Sequence, residues 1–185
     1  MAGGGAEDFL KFINDGEAQW SLLAAKAPIA DVSNAFAKFA KTAHVDRNVP
    51  IKPEGGGNDE VAPATAVVQV RDNPWVVISR TLFYVNEAAI NEVTEATAAL
   101  SKSLKTQVLA FAAADESEAI ACDLFEDGKQ IKHADDIEAA KEMIRKLGIY
   151  LPARYPQIKG KRSWLAVAKI SADKVERADL VAIKS

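Results

Sequence analysis

Val67-Val68-Gln69-Val70-Arg71, then Asp72-Asn73-Pro74, then Trp75-Val76-Val77-Ile78-Ser79-Arg80 is the stretch that decides the fold. Two runs rich in β-branched and aromatic residues flank three residues of turn chemistry. Asp and Asn bond their own backbone and Pro presets its φ, so the segment predicts an antiparallel hairpin. A second all-β region follows, with strands over Gln107 to Ala112 and Ala119 to Phe125. Asp127-Gly128 is a tight-turn pair returning the chain through Gln130-Ile131-Lys132.

Helical periodicity separates these strands. Ile29, Val32, Phe36 and Phe39 draw one apolar stripe behind Pro28, which suits a first turn because its missing N–H would have no partner there. Ile90, Val93, Thr97, Leu100 and Leu104 draw a second stripe from about Asn86 to Lys105. The third helix carries the fullest end signals: Asp135 as a cap, Glu138 completing a capping box, Ile137, Ala140, Ile144 and Leu147 as the stripe, and Gly148 as the stop. Glu142 and Lys146 add an ion pair of the better orientation. A short helix is also expected from Ala6 to Asn14, ending at Gly16.

The two ends of the chain share a Trp-headed unit. Trp20 to Lys26, read as a strand reaching Ala27, leads into Pro28 to Val32; Trp164 to Lys169, read as a final strand, leads into Ser171 to Val175, read as a short closing helix. At a constant offset of 143 residues Leu22 falls on Leu165, Lys26 on Lys169 and Val32 on Val175, which suggests a weak duplication of a strand-helix unit. Hairpins mixed with single helices give an α+β fold: a mixed, largely antiparallel sheet with amphipathic helices packed on it. Residues 1–185 read as one domain rather than two halves meeting near residue 66, with 48–65 a flexible loop or insertion dense in Pro and Gly.

Composition narrows the class. Hydrophobic residues make up 49% and charged residues 26%, which is ordinary for a globular domain, and a net charge of −3 gives no general pull toward polyanions. Cys122 is the single cysteine, so no internal disulfide forms and a reducing, cytoplasmic setting is expected. No run approaches the roughly 18 to 20 apolar residues of a membrane span, and Met1 to Asp8 has neither a basic nor an apolar signal region.

Local chemistry is sparse. His44 and His133 stand alone and no second cysteine exists, so no zinc pattern is present and no metal is expected. Asp115-Glu116-Ser117-Glu118 lacks the ligand spacing of a calcium loop and reads as a solvated turn. Cys122 alternates onto one face with Ile120 and Leu124, as a small buried hydrophobe. No nucleophile elbow, Walker A or dinucleotide fingerprint occurs, and no cofactor is expected.

Charged residues on apolar strands are the remaining signal. Arg80 shares a side with Val76 and Ile78, and Asp123 with Ala121 and Phe125; such charges must be paired or sit where water reaches. One reading joins Arg80, Asp123 and Arg71 in a ligand pocket; the other leaves them as strand-end residues or one structural ion pair. The segment Tyr150 to Trp164 carries Arg154, Lys159, Lys161 and Arg162 among three aromatics, a candidate anion or nucleic-acid grip, or a loop whose aromatics anchor it to the core.

The leading expectation is a non-enzymatic, soluble intracellular protein that contacts another protein or itself. Either the 48–65 loop or the Tyr150–Trp164 segment would be its surface, with neither membrane nor nucleic acid as partner. The alternatives are a small-ligand binder or enzyme built on Arg80, Asp123 and Arg71, and anion or nucleic-acid binding through 154–162.

Overall fold

A computed structural model of the chain describes residues 19–42, 44–51, 64–80, 87–114, 120–150, 164–165 and 170–182. Its strands are β1 (Gln19–Ala25), β2 (Val45–Asp46), β3 (Ala64–Val70), β4 (Val76–Arg80), β5 (Gln107–Ala114), β6 (Ile120–Glu126), β7 (Lys129–Ala134) and β8 (Val175–Ala182). The helices are α1 (Ile29–Phe39), α2 (Glu87–Leu104) and α3 (Ile137–Leu147), and a 3-10 turn spans Ala172–Lys174. All eight strands join one sheet in the order β2-β8-β3-β4-β1-β5-β6-β7. Every pairing is antiparallel, so the protein has an α+β fold on an antiparallel sheet.

Local chemistry sets the connections. Asp127 and Gly128 both take positive φ, 49° and 76°, the requirement of a type I′ turn, so Asp127-Gly128 closes the β6–β7 hairpin. Between β3 and β4, Asn73 Oδ1 accepts the Trp75 N–H at 2.9 Å, and its Nδ2 reaches across to the Gly148 carbonyl at 3.0 Å. β5, β6 and β7 form a meander. β1, by contrast, lies between β4 and β5, both far along the chain.

Helices cover both faces of the sheet. On one, α1 and α2 lay Ile29, Val32, Phe36, Val93 and Leu100 onto Val67, Ile78, Val108 and Ala110. On the other, α3 packs Ala140, Met143 and Ile144 against Trp75, Leu109, Phe111 and Leu124, while Trp164, Leu165 and Ile170 cover Val68, Val77 and Leu180. Burial on both faces explains why Val67-Val68 and Trp75-Val76-Val77-Ile78 run apolar without alternation. Two buried indoles fasten these layers: Trp75 Nε1–H donates to the Leu147 carbonyl at 3.0 Å and Trp164 Nε1–H to the Pro50 carbonyl at 2.9 Å.

Several local expectations need correction. Asp136, not Asp135, caps α3: the helix begins at Ile137, so the Asp136 carboxylate accepts the Ala139 N–H at 2.8 Å, while Asp135 meets His133. Glu138 is no capping-box partner and instead pairs with Lys141, whereas the Glu142–Lys146 pair forms at 2.6 Å. β3 begins at Ala64, inside the span expected to be loop, and β2 was not expected at all.

The C-terminal unit differs most. Trp164 and Leu165 are helical, and the expected closing helix is a 3-10 turn followed by β8. Trp20 lies in a strand where Trp164 lies in a helix, and Val32 lies in α1 where Val175 opens β8, so the two units do not repeat one structure. A pattern long enough for only one helical turn explains the error: Ser171-Ala172-Asp173-Lys174 supports one tight turn, after which β8 fills the gap between β2 and β3. The Ala6–Asn14 helix and most of the 48–65 loop lie outside the described residues.

Candidate functional site

The polar side chains that the fold gathers fall into two clusters, one at each end of the sheet. The first is on β6 and β7. Asp123 stands opposite Ala110 on β5 and His133 on β7, on the face covered by α2, and is buried. Its Oδ1 accepts from His133 Nδ1 at 2.5 Å and from Gln130 Nε2 at 2.9 Å. His133 Nε2 meets the exposed Asp135 carboxylate at 2.9 Å. The hydrogen bond to Asp123, helped by the charges of Asp123 and Asp135, raises the His133 pKa above its ordinary value against a smaller opposing effect of burial. In its protonated form the ring donates to a carboxylate on each side.

On the neighbouring position of β6, Cys122 points to the opposite face, among Leu109, Leu124 and Ile144. Burial, and secondarily the Asp123 charge, pushes its thiol up to about 12. A thiol held protonated is neither a nucleophile nor a ligand.

β7 ends the sheet. Its residues Lys129 to His133 are exposed, and Ile131, 45% exposed, is the exposed large hydrophobic side chain among the described residues. The register against β6 shifts between Leu124 and Phe125, so β7 carries a bulge at Ile131.

The second cluster surrounds Asp179 on β8, whose side chain is 0% exposed. It accepts from Ser33 Oγ on α1 at 2.8 Å and from the Asn48 N–H at 2.9 Å. Arg47 and Arg177 approach it at 3.6 and 3.4 Å. Arg47 also donates to Asn34 Oδ1 on α1. Helix, edge strand and β8 are thereby tied through one buried carboxylate, which serves the fold.

The strand-borne trio does not converge. Arg80 on β4 pairs in register with Ser21 on β1, and β1 and β5 both lie between β4 and the Asp123 strand. Three strand spacings of about 4.8 Å put their backbones roughly 14 Å apart, too far for a direct pair. Asp123 has His133 and Gln130 as partners instead. Arg71 sits at the hairpin end of β3, with its guanidinium on the Val175 carbonyl at 3.3 Å and its N–H on the Lys174 carbonyl at 2.8 Å. Arg154, Lys159, Lys161 and Arg162 lie outside the described residues, although Trp164 beyond them is buried in the core.

Sequence reasoning missed the His133 and Asp179 clusters. Counting back from the Asp127-Gly128 turn puts Lys132 opposite Asp123; the bulge at Ile131 moves His133 into that place, and no local signal announces the bulge. No local signal connects Asp179 with Ser33, 146 residues apart. Among the described residues no group of three His, Cys, Asp or Glu side chains is arranged to hold a metal ion, and no helix is long and apolar enough to cross a membrane. Comparison with models of protein families, with curated proteins and with solved structures finds no match.

Proposed function

We propose that this protein acts by binding another protein rather than by catalysis, and that the outer edge of β7 is its contact surface. The observation that carries the reading is the exposed Ile131 on a terminal strand, framed by Lys129 and Lys132. An edge strand presents backbone N–H and C=O groups to an added strand, and an apolar side chain gives that strand something to bury. The flanking lysines favour an acidic extended segment. A second copy of β7 laid antiparallel would oppose its lysines to Lys129, Lys132 or His133, an arrangement that like charges disfavour. The partner is therefore a different chain.

The bulge at Ile131 limits the length of regular pairing, which suits a short and reversible contact. Two further facts support binding over chemistry: the Cys122 thiol stays protonated and both His133 nitrogens are engaged. The single free cysteine supports a reducing, intracellular setting.

The test is capture from the native host with wild-type protein and with Ile131→Lys and Lys129→Glu/Lys132→Glu variants, alongside size-exclusion light scattering. The reading expects a partner retained by wild type and lost by both variants, with monomeric mass and unchanged thermal midpoints. A partner that survives Ile131→Lys, or a wild-type dimer that this substitution splits, would contradict it.

A further inference from the structure

Where β1 runs into α1 and α2 hands over to β5, the surface opens into a groove of about 650 Å³. Lys26, Lys38 and Lys105 line it, with Asp31 as the single carboxylate. None of these lysines forms an ion pair or a side-chain hydrogen bond with a described residue. The groove thus carries an uncompensated charge of about +2 in a chain whose net charge is −3.

The framework under them is fixed. The Lys26 N–H donates to the Gln107 carbonyl at 3.1 Å, and Thr106 Oγ1 donates to the Lys26 carbonyl at 2.9 Å. Lys105 takes a left-handed φ of 51° directly after α2, a turn held by the Thr106 N–H on the Ser101 carbonyl at 3.3 Å. Ala27, Ala35 and Leu104, each half-buried, supply an apolar floor beside the charges.

We propose that this groove binds a small phosphate-bearing ligand, its phosphate held by Lys26, Lys38 and Lys105 and its uncharged body against the apolar floor. A phosphate monoester gathers nearly two negative charges on one group near neutral pH and uses several cations at once, whereas succinate spreads its two over separate carboxylates. A long polyanion is disfavoured because the chain as a whole carries a net charge of −3. This site goes beyond the β7 contact and does not depend on it.

The experiment is calorimetric titration of the full chain with inorganic pyrophosphate in low salt, with succinate as the carboxylate comparison. Saturable one-to-one binding is expected, weakened by added salt and about fivefold weaker in each of Lys38→Ala and Lys105→Ala, the loss of one exposed charge contact. Lys132→Ala and Ile131→Lys leave the affinity unchanged, so failure of the β7 reading stays separable. Absence of saturable binding, equal weakening by Lys132→Ala, or succinate binding as tightly as pyrophosphate would overturn the proposal. The lysines are exposed, and Lys38→Gln repeats the test should Lys38→Ala lower the thermal midpoint.

Discussion

Replacing Asp179 with alanine tests whether the buried carboxylate fastens α1 to the sheet. The substitution leaves the Ser33 hydroxyl and the Asn48 N–H without their acceptor, and Asn48 already sits at a left-handed φ of 51°. Hydrogen bonds to a charged acceptor contribute about 1.5–3 kcal/mol each, so two give about 3–6 kcal/mol. Arg47 and Arg177, 42% and 35% exposed, rehydrate on losing their partner and add less than about 1 kcal/mol each. Removing a buried charge recovers part of this through desolvation, which brings the expected net loss to about 3 kcal/mol. Asp179→Asn keeps an acceptor for Asn48 and should lose only about 1 kcal/mol.

The assay is urea unfolding followed by tryptophan fluorescence at neutral pH. With a slope of about 2–3 kcal/mol per molar, Asp179→Ala lowers the midpoint by about 1 M or more. Ser33→Ala completes a double-mutant cycle, in which a coupling of about 1–2 kcal/mol is expected from the shared bond. A midpoint shift below about 0.3 M for Asp179→Ala, or strict additivity with Ser33→Ala, would refute the reasoning.

Two further predictions concern β6 and β7. Cys122, with its thiol pushed up to about 12 inside the core, should resist a thiol-specific disulfide reagent at pH 8 in the native state and react only as fast as the protein opens; labelling at the rate of a free thiol would show the site to be open. The pKa of His133 is raised on folding, so its contribution to stability is whole below about pH 6.5, the ordinary value, and fades as the pH climbs through the higher native one. His133→Gln should therefore flatten the decline in urea midpoint above pH 6.5, and a ring titration by NMR that falls below 6.5 would reverse the sign.

The hairpins and helices were legible because each rests on local chemistry. Asp127-Gly128 fixed its turn type by positive φ, and the Ile29–Phe39 and Ile137–Leu147 stripes had unambiguous periods. The end of the chain was misread because Ser171 to Lys174 offers only one turn of helix and β8 owes its conformation to β2 and β3 on either side. Neighbours distant in sequence decided that segment. The same holds for charge: Arg80 and Asp123 looked like partners by strand side alone, but strand order separates them, and Asp123 found its histidine across a hairpin. Alternation assigns a face, whereas only topology assigns a neighbour.

The place of β1 in the middle of the sheet bears on how the chain is made. β1 is the earliest described strand, yet its partners end at Arg80 and Ala114. During synthesis it leaves the ribosome with both edges open and waits, at about 5–20 residues per second, for several seconds until β4 and then β5 emerge. Such long-range closure predicts slow folding for a chain of this size and a window in which an apolar segment, Leu22 to Ala25, is available to holding chaperones. It also makes the first strand a natural point of division: a chain lacking it would keep the β5–β7 meander and the β3–β4 hairpin but lose the seam that joins them.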